Sequence, residues 1–322
     1  MKVLFVSSGN YQESGISPIV KSQGESLKKN GIDIDYFPVK GKGITGYLKN
    51  IPLLRKHIYN KNYDLIHAHY SLSGLLCILS ITKTPVILSL MGSDVYGYYN
   101  KKGKPSLISY FFMILTQFTI LFVRNIIIKS ENLSRYILNK KKINIIPNGV
   151  DLEQFKPLPV NTCRQKLGLP LNEKIILFLA NRYNPRKNFN LLKNAAALIE
   201  NISFRIINPF PQAHKDIPEY INACDVIIIT SYKEGSPNIV KEAMACNCPI
   251  VSTDVGDVNW VIGNIKGCYL TSFDPGDVAE KIKLALKSGN QTNGRERIIE
   301  LGLDSDSVAK KIIDVYKKVL KR

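Results

Sequence analysis

Glu234-Gly235-Ser236-Pro237-Asn238-Ile239-Val240-Lys241-Glu242 puts two glutamates eight positions apart, across a junction where turn formers give way to a helical pattern. Ser236 is a good N-cap, Pro237 suits the first helical position, and the free N–H groups beyond it form an anion site. Glu234 then falls on the loop. Glu242 falls about one and a half turns inside the helix, where its carboxylate can accept two vicinal hydroxyls such as those of a ribose. Apolar runs at residues 226–230 and 249–253 bracket the segment and are the length of strands. Strand, loop, helix and strand in that order describe a parallel sheet, and ligands of such sheets bind at the carboxyl edge.

The same alternation extends over nearly the whole chain. Strand candidates lie at 3–7, 33–37, 65–68, 86–89, 126–129 and 144–146 in the first half, and at 174–180 and 204–207 ahead of the quoted segment. A helix fits at 19–29, with Gly31 where a helix end wants a left-handed residue. Turn formers cluster in Pro147-Asn148-Gly149-Val150-Asp151 and again through Pro157 and Pro159, which predicts a hinge and two Rossmann-like halves. From Ser307 to Leu320, Val308, Ile312, Val315, Tyr316 and Val319 share one helical face, so the last segment packs.

At 322 residues the chain can bury two α/β cores. Its six cysteines are scattered with neither zinc-ribbon nor C-x-x-C spacing, and read as reduced core thiols of a cytoplasmic protein. No export signal is expected from Met1-Lys2-Val3-Leu4-Phe5-Val6, which reads as a first strand. Residues 107–123 are apolar but interrupted by Ser109, Thr116, Gln117 and Thr119; 17 residues fall short of a span, so a core helix is expected, the alternative being an aromatic face on lipid. Residues 1–150 hold 20 Lys+Arg against 7 Asp+Glu, whereas 151–322 hold 24 against 19. Without a nucleic-acid-binding motif, that asymmetry points to an anionic membrane surface rather than to nucleic acid.

No G-x-G-x-x-G follows a strand and no P-loop occurs, which weakens redox and kinase readings. Asp33 and Asp35 alternate inside a strand, and Asp304-Ser305-Asp306 caps the last helix, so neither Asp-x-Asp pair suits a metal clamp and no metal is expected. Cationic side chains and a helix N-terminus are left to hold a diphosphate. Phe178 to Lys187 leaves a strand, turns at Asn184-Pro185 and enters a helix, so Arg182 and Lys187 can converge above the carboxyl edge.

With these segments in view the chain resembles the family 4 retaining glycosyltransferases of the GT-B fold. The resemblance is carried by Asp64 to Gly74 with His67 and His69, Leu90-Met91-Gly92-Ser93-Asp94, Ile146 to Asp151, Asn181-Arg182 to Lys187, and Ala223 through the two glutamates to Gly256. It implies two Rossmann-like domains with parallel sheets facing each other across a cleft: an acceptor domain at 1–152, a nucleotide-sugar domain at 153–305, and a final helix at 306–322 crossing back to the first.

By the same resemblance Arg182 and Lys187 hold the donor diphosphate, Glu242 the ribose, and Glu234 faces the donor sugar. Gly15 approaches phosphate and sugar, and amides near Asn238 and Ile239 join Ser236 in the diphosphate cradle. Arg182, Lys187 and Glu234 are the catalytic set. No cofactor is implied beyond the nucleotide-sugar co-substrate, and the acceptor is a saccharide or lipid-linked saccharide in surface-polysaccharide or glycan assembly. Three features depart from the family pattern: Ser14-Gly15 replaces a glycine pair, Met91 replaces the histidine before Gly-Ser-Asp, and the chain between 207 and 223 has room for little more than one connection. His69, with Ser93 and Asp94, becomes the acceptor-side candidate. An inactive sugar-nucleotide-binding relative, an epimerase and a phosphorylase are the alternatives.

Overall fold

Val, Ile and Leu dominate the short runs, and a strand buried on both faces by helices needs that composition rather than an alternating one. In a computed structural model, described for residues 1–11, 15–97, 104–289 and 291–321, these runs build two parallel sheets. Ser14 of the Ser14-Gly15 pair, and Lys101 and Lys102, lie outside the described residues.

One unit comprises Met1–Tyr98, Pro105–Gly149 and Ser305–Arg322. Its strands are β1 (Lys2–Ser8), β2 (Asp33–Val39), β3 (Leu65–His69), β4 (Val86–Leu90), β5 (Asn125–Ile128) and β6 (Ile143–Ile145), in the order β2-β1-β3-β4-β5-β6. Val3 of the central β1 pairs with Ile34 on one side and Leu65 on the other. The helix Pro18–Lys29 is capped by the Ser17 hydroxyl, and Gly31 beyond it takes φ +82°. The helix Ser305–Leu320 buries Val308, Ile312, Val315, Tyr316 and Val319 in this unit's core, beside Val3, Phe5 and Leu27.

Val150–Asp304 forms the other unit. Its strands β7 (Lys174–Leu177), β8 (Phe204–Ile207), β9 (Val226–Ile229), β10 (Ile250–Thr253) and β11 (Cys268–Thr271) run in the order β11-β10-β9-β7-β8. Because every strand is parallel, the loops leaving β7, β9 and β10 emerge side by side at one edge. The connection from β8 to β9 holds one 3₁₀ turn, His214–Asp216, and one helix, Ile217–Ala223. All six cysteines are free and buried.

One expectation is reversed. The helix Leu107–Phe122 is no core helix: it buries Ser109, Thr116, Thr119 and Ile120, and turns Leu107, Ile108, Phe111, Ile114, Leu121 and Phe122 outward, Leu107 at 90% exposure. The buried hydroxyls are satisfied locally, Thr116 by the carbonyls of Asp94 and Phe112 and Thr119 by that of Leu115. Small groups also let helices approach. A Cβ on Gly74 would stand 3.0 Å from Thr119 Cγ2 and 2.9 Å from Leu88 Cδ1.

Candidate functional site

After β7 the chain makes a 3₁₀ turn, Pro185–Lys187, because the Asn184 side chain accepts the Arg186 N–H at 3.1 Å and proline fixes the next φ. The loop after β9 is laced to this turn. Thr230 Oγ1 donates to the carbonyls of Lys187 and Asn188, both at 3.0 Å, the Tyr232 N–H donates to Arg186 O at 2.9 Å, and Arg186 Nη1 donates to Lys233 O at 2.7 Å. The lacing places Glu234 on the turn.

Glu234 is buried, with Lys187 Nζ 2.6 Å from Oε1 and Arg186 Nη1 paired with Oε2. Burial pushes its carboxyl up, but Lys187 and Arg186 together outweigh burial and hold it below its ordinary value. On its far side the loop rests on Gly256, whose φ is +61°; a Cβ there would lie 2.5 Å from Gly235 O. Only glycine fits that backbone and that gap.

Ser236 does not cap the following helix. Pro237 is the cap residue, no side chain completes it, and the helix runs Asn238–Ala245. The Ser236 hydroxyl instead donates to Asp257 Oδ2 at 2.6 Å and accepts from the buried Lys241 ammonium at 2.5 Å. A buried cation and carboxylate compete for the serine oxygen more strongly than a backbone amide. Asn238 and Ile239 therefore head the helix at the sheet's carboxyl edge.

Glu242, on the same helix, is buried, and its Oε1 meets His214 Nε2 at 3.1 Å. The Glu242 hydrogen bond raises the His214 pKa above its ordinary value, against an opposing effect of burial. Arg182 is exposed and folds over its neighbour, donating to the Tyr183 hydroxyl at 2.8 Å with the guanidinium 5.0 Å from the ring centre. The arginine paired with Glu234 is Arg186, which sequence reasoning passed over, whereas Arg182 bonds its neighbour Tyr183. His214 was missed as well. Its only sequence signal is being one of four histidines.

In the other unit His69, at the end of β3, is fully buried against His67, ring centres 4.3 Å apart. His67 bonds Tyr316 Oη at 2.6 Å and Ser89 Oγ at 2.7 Å, whereas neither ring nitrogen of His69 has a hydrogen-bond partner among the described residues. Burial, and then the Lys129 charge, hold His69 well below its ordinary pKa, as a neutral ring. Asp94 accepts the N–H groups of Met91 at 3.0 Å and Gly92 at 2.9 Å, and burial pushes its pKa up to about 6 against those bonds. It closes the turn leading into Ser93–Tyr96, where Ser93 is half-buried. Gly15 takes φ +65°.

Residues 17–154 match the family Glycosyltransferase Family 4, and residues 173–288 match Glycosyl transferases group 1. The chain is 25% identical over 308 residues to N,N'-diacetylbacillosaminyl-diphospho-undecaprenol alpha-1,3-N-acetylgalactosaminyltransferase of Campylobacter jejuni, covering 85% of this chain and 82% of that one. It is 24% identical to D-inositol 3-phosphate glycosyltransferase of Mycobacterium tuberculosis, with 72% of this chain aligned and only 56% of that protein's length spanned. Among solved structures, sucrose-phosphate synthase from Thermosynechococcus elongatus superposes over 99% of both chains with TM-score 0.83 at 18% identity. Anabaena Alr3699/HepE in complex with UDP-glucose does so over 99% of this chain and 100% of that chain with TM-score 0.74 at 17% identity. At such identities the likeness is one of fold, and the fold is GT-B.

Proposed function

The chain belongs to the family 4, group 1 glycosyltransferases, and from that premise we propose that it moves a hexosyl group from a nucleoside-diphosphate sugar to a saccharide or lipid-linked saccharide, with retention and without a resident metal. The observation that carries the reading is the lacing of the β7 and β9 loops, which sets Arg186, Lys187 and Glu234 together at the carboxyl edge while Glu242 stands on the helix that follows. Cations there suit a departing diphosphate, and preorganised charges of this kind are each worth about 3 kcal/mol in a transition state. Lys187, Arg182 on its exposed turn and the amides of Asn238 and Ile239 take the diphosphate; Glu242 takes the ribose hydroxyls. Glu234 faces the sugar, with Lys187 exchanging toward phosphate oxygens as the donor seats and Arg186 staying on Glu234.

The acceptor hydroxyl attacks the anomeric carbon on the face from which the diphosphate leaves. Its proton passes to the leaving phosphate oxygen, so no protein nucleophile is required. The lipid-linked acceptor finds support in the Campylobacter relative, whose name contains a diphospho-undecaprenol, and in the apolar face of Leu107–Phe122. Among the described residues no helix is long and apolar enough to cross a membrane; the face suits shallow contact, and we place the enzyme at the cytoplasmic side of a membrane in glycan assembly. Incubation of the chain with UDP- and GDP-sugars and a polyprenol-diphosphate-linked saccharide should release free nucleoside diphosphate, and the product's anomeric configuration should match the donor's. Hydrolysis without transfer, or inversion, would reject the reading.

A further inference from the structure

The short β8–β9 connection puts His214 against Glu242, and both side chains keep some exposure, 30% and 12% respectively. His214 is held from behind. Its ring lies edge-on to the buried Phe155 with centroids 5.4 Å apart, and Gln154 Nε2 donates to its carbonyl at 3.2 Å. The same Gln154 nitrogen lies 3.4 Å from His214 Nδ1. A carboxylate oxygen can only accept, so Nε2 carries the hydrogen that goes to Glu242 Oε1. The bond at Oε1 restrains the rotation of the carboxylate.

We infer that His214 is a positioning residue for Glu242, aligning the carboxylate so that it reads the two vicinal hydroxyls of the donor's ribose. The inference rests on the proposed role of Glu242 as the ribose acceptor. A carboxylate free to rotate gives up part of two charge-assisted bonds, whereas one pinned at Oε1 presents its lone pairs in one direction. A role in folding alone would weaken every nucleotide equally; positioning weakens only those that carry the hydroxyls.

Calorimetry of the full chain with UDP, GDP and ADP identifies the nucleotide it binds, and that nucleotide is then compared with its 2′,3′-dideoxy counterpart. The unaltered chain should prefer the ribonucleotide by about a hundredfold. His214→Ala should cut that preference about tenfold while leaving affinity for the dideoxy form within about twofold. His214→Gln should retain most of the preference, because its amide N–H reaches the position of Nε2. Glu242→Ala separates the two ideas. If Glu242→Ala leaves the preference intact, or no nucleotide binds the unaltered chain, the ribose assignment itself is wrong. If Glu242→Ala abolishes the preference and His214→Ala keeps it, or weakens both nucleotides alike, the positioning role is overturned.

Discussion

The Lys187 ammonium stands 2.6 Å from Glu234 Oε1, so the cation assigned to the diphosphate and the carboxylate assigned to the sugar are bonded to each other. Arg186 holds the second carboxylate oxygen and the Lys233 carbonyl. Glu234 thus orders the two cations of the 3₁₀ turn Pro185–Lys187. On the proposed reading a donor's phosphates would draw Lys187 partly away, and Arg186, anchored to the backbone as well, would keep Glu234 in place.

That arrangement separates three basic residues by experiment. Arg182→Ala and Lys187→Ala should each lower kcat/KM by about two orders of magnitude, from loss of about 3 kcal/mol of transition-state stabilisation. Arg186→Ala and Lys187→Ala should both also lower the melting temperature, since each leaves a buried carboxylate half-paired at a cost of about 1–3 kcal/mol. Arg182→Ala should melt normally, because that side chain is exposed. Normal turnover in Lys187→Ala would refute the clamp.

The Glu234 pairing has a defined pH signature. Its folded carboxyl titrates below the ordinary value of 4.5, so the pairing contributes stability that is fully present above that value and is lost as pH falls through the lower folded one. Glu234→Gln should therefore melt below the unaltered chain at pH 7, with the gap closing as pH is lowered below 4.5. A gap that widens in acid would mean the carboxyl is raised instead. At neutral pH the same variant should bind nucleoside diphosphate but transfer slowly, whereas Glu242→Gln should lose nucleotide affinity; equal losses in both would sink the division of tasks.

Gly256 offers a test of the loop's support. Gly256→Ala adds a Cβ 2.5 Å from Gly235 O at a backbone with φ +61°, so the loop bearing Glu234 must shift at a cost of about 1–3 kcal/mol. Turnover should fall at least about tenfold. Unchanged turnover with an unchanged melting temperature would show that the loop's position does not matter.

The proposal of a cationic cradle without a resident metal is checked by chelation. Activity should persist in EDTA, and a loss restored by Mn²⁺ or Mg²⁺ would reject it.

What the sequence made legible is the part dictated by local chemistry. Ten of the strands announce themselves as short, mostly apolar runs between turn formers, within a few residues of their observed bounds, and Glu234 lies on the loop with Glu242 inside the following helix. β11, Cys268–Thr271, did not announce itself, since it is four residues long, lies at a sheet edge and is only half-buried in its middle. Which of Arg182 and Arg186 meets Glu234 depends on the direction of a 3₁₀ turn, and that is set by Thr230 and Tyr232 from another strand's loop. Ser236 obeyed a tertiary network rather than its capping preference, and His214 reaches Glu242 only through the fold. The helix Leu107–Phe122 misled for a related reason: its hydroxyl groups, read as interruptions of an apolar stretch, are the residues that pack.

That inverted helix carries the last prediction. Its outward face carries Phe111, Ile114, Phe118 and Phe122, and the exposed Lys140 and Lys141 adjoin Lys142, whose Nζ donates to the carbonyls of Leu121 and Val123 at the helix end, at 3.0 and 2.8 Å. Exposed apolar side chains with lysines near the helix end suit an anionic leaflet. Each basic residue near the surface adds about 1 kcal/mol, and each apolar side chain sunk into the interface adds up to about 2 kcal/mol. Co-sedimentation should show strong binding to anionic vesicles and weaker binding to neutral ones. Raising salt from 0.1 to 1 M shortens screening from about 10 Å to about 3 Å and should remove only the difference between them. Ile114→Ser with Phe118→Ser should lower binding to both vesicles; Lys140→Glu with Lys141→Glu should lower it to the anionic ones alone. Binding to neither vesicle would leave the helix face and its lysines as solvated surface, and equal binding to both at low salt would assign the contact to the helix alone.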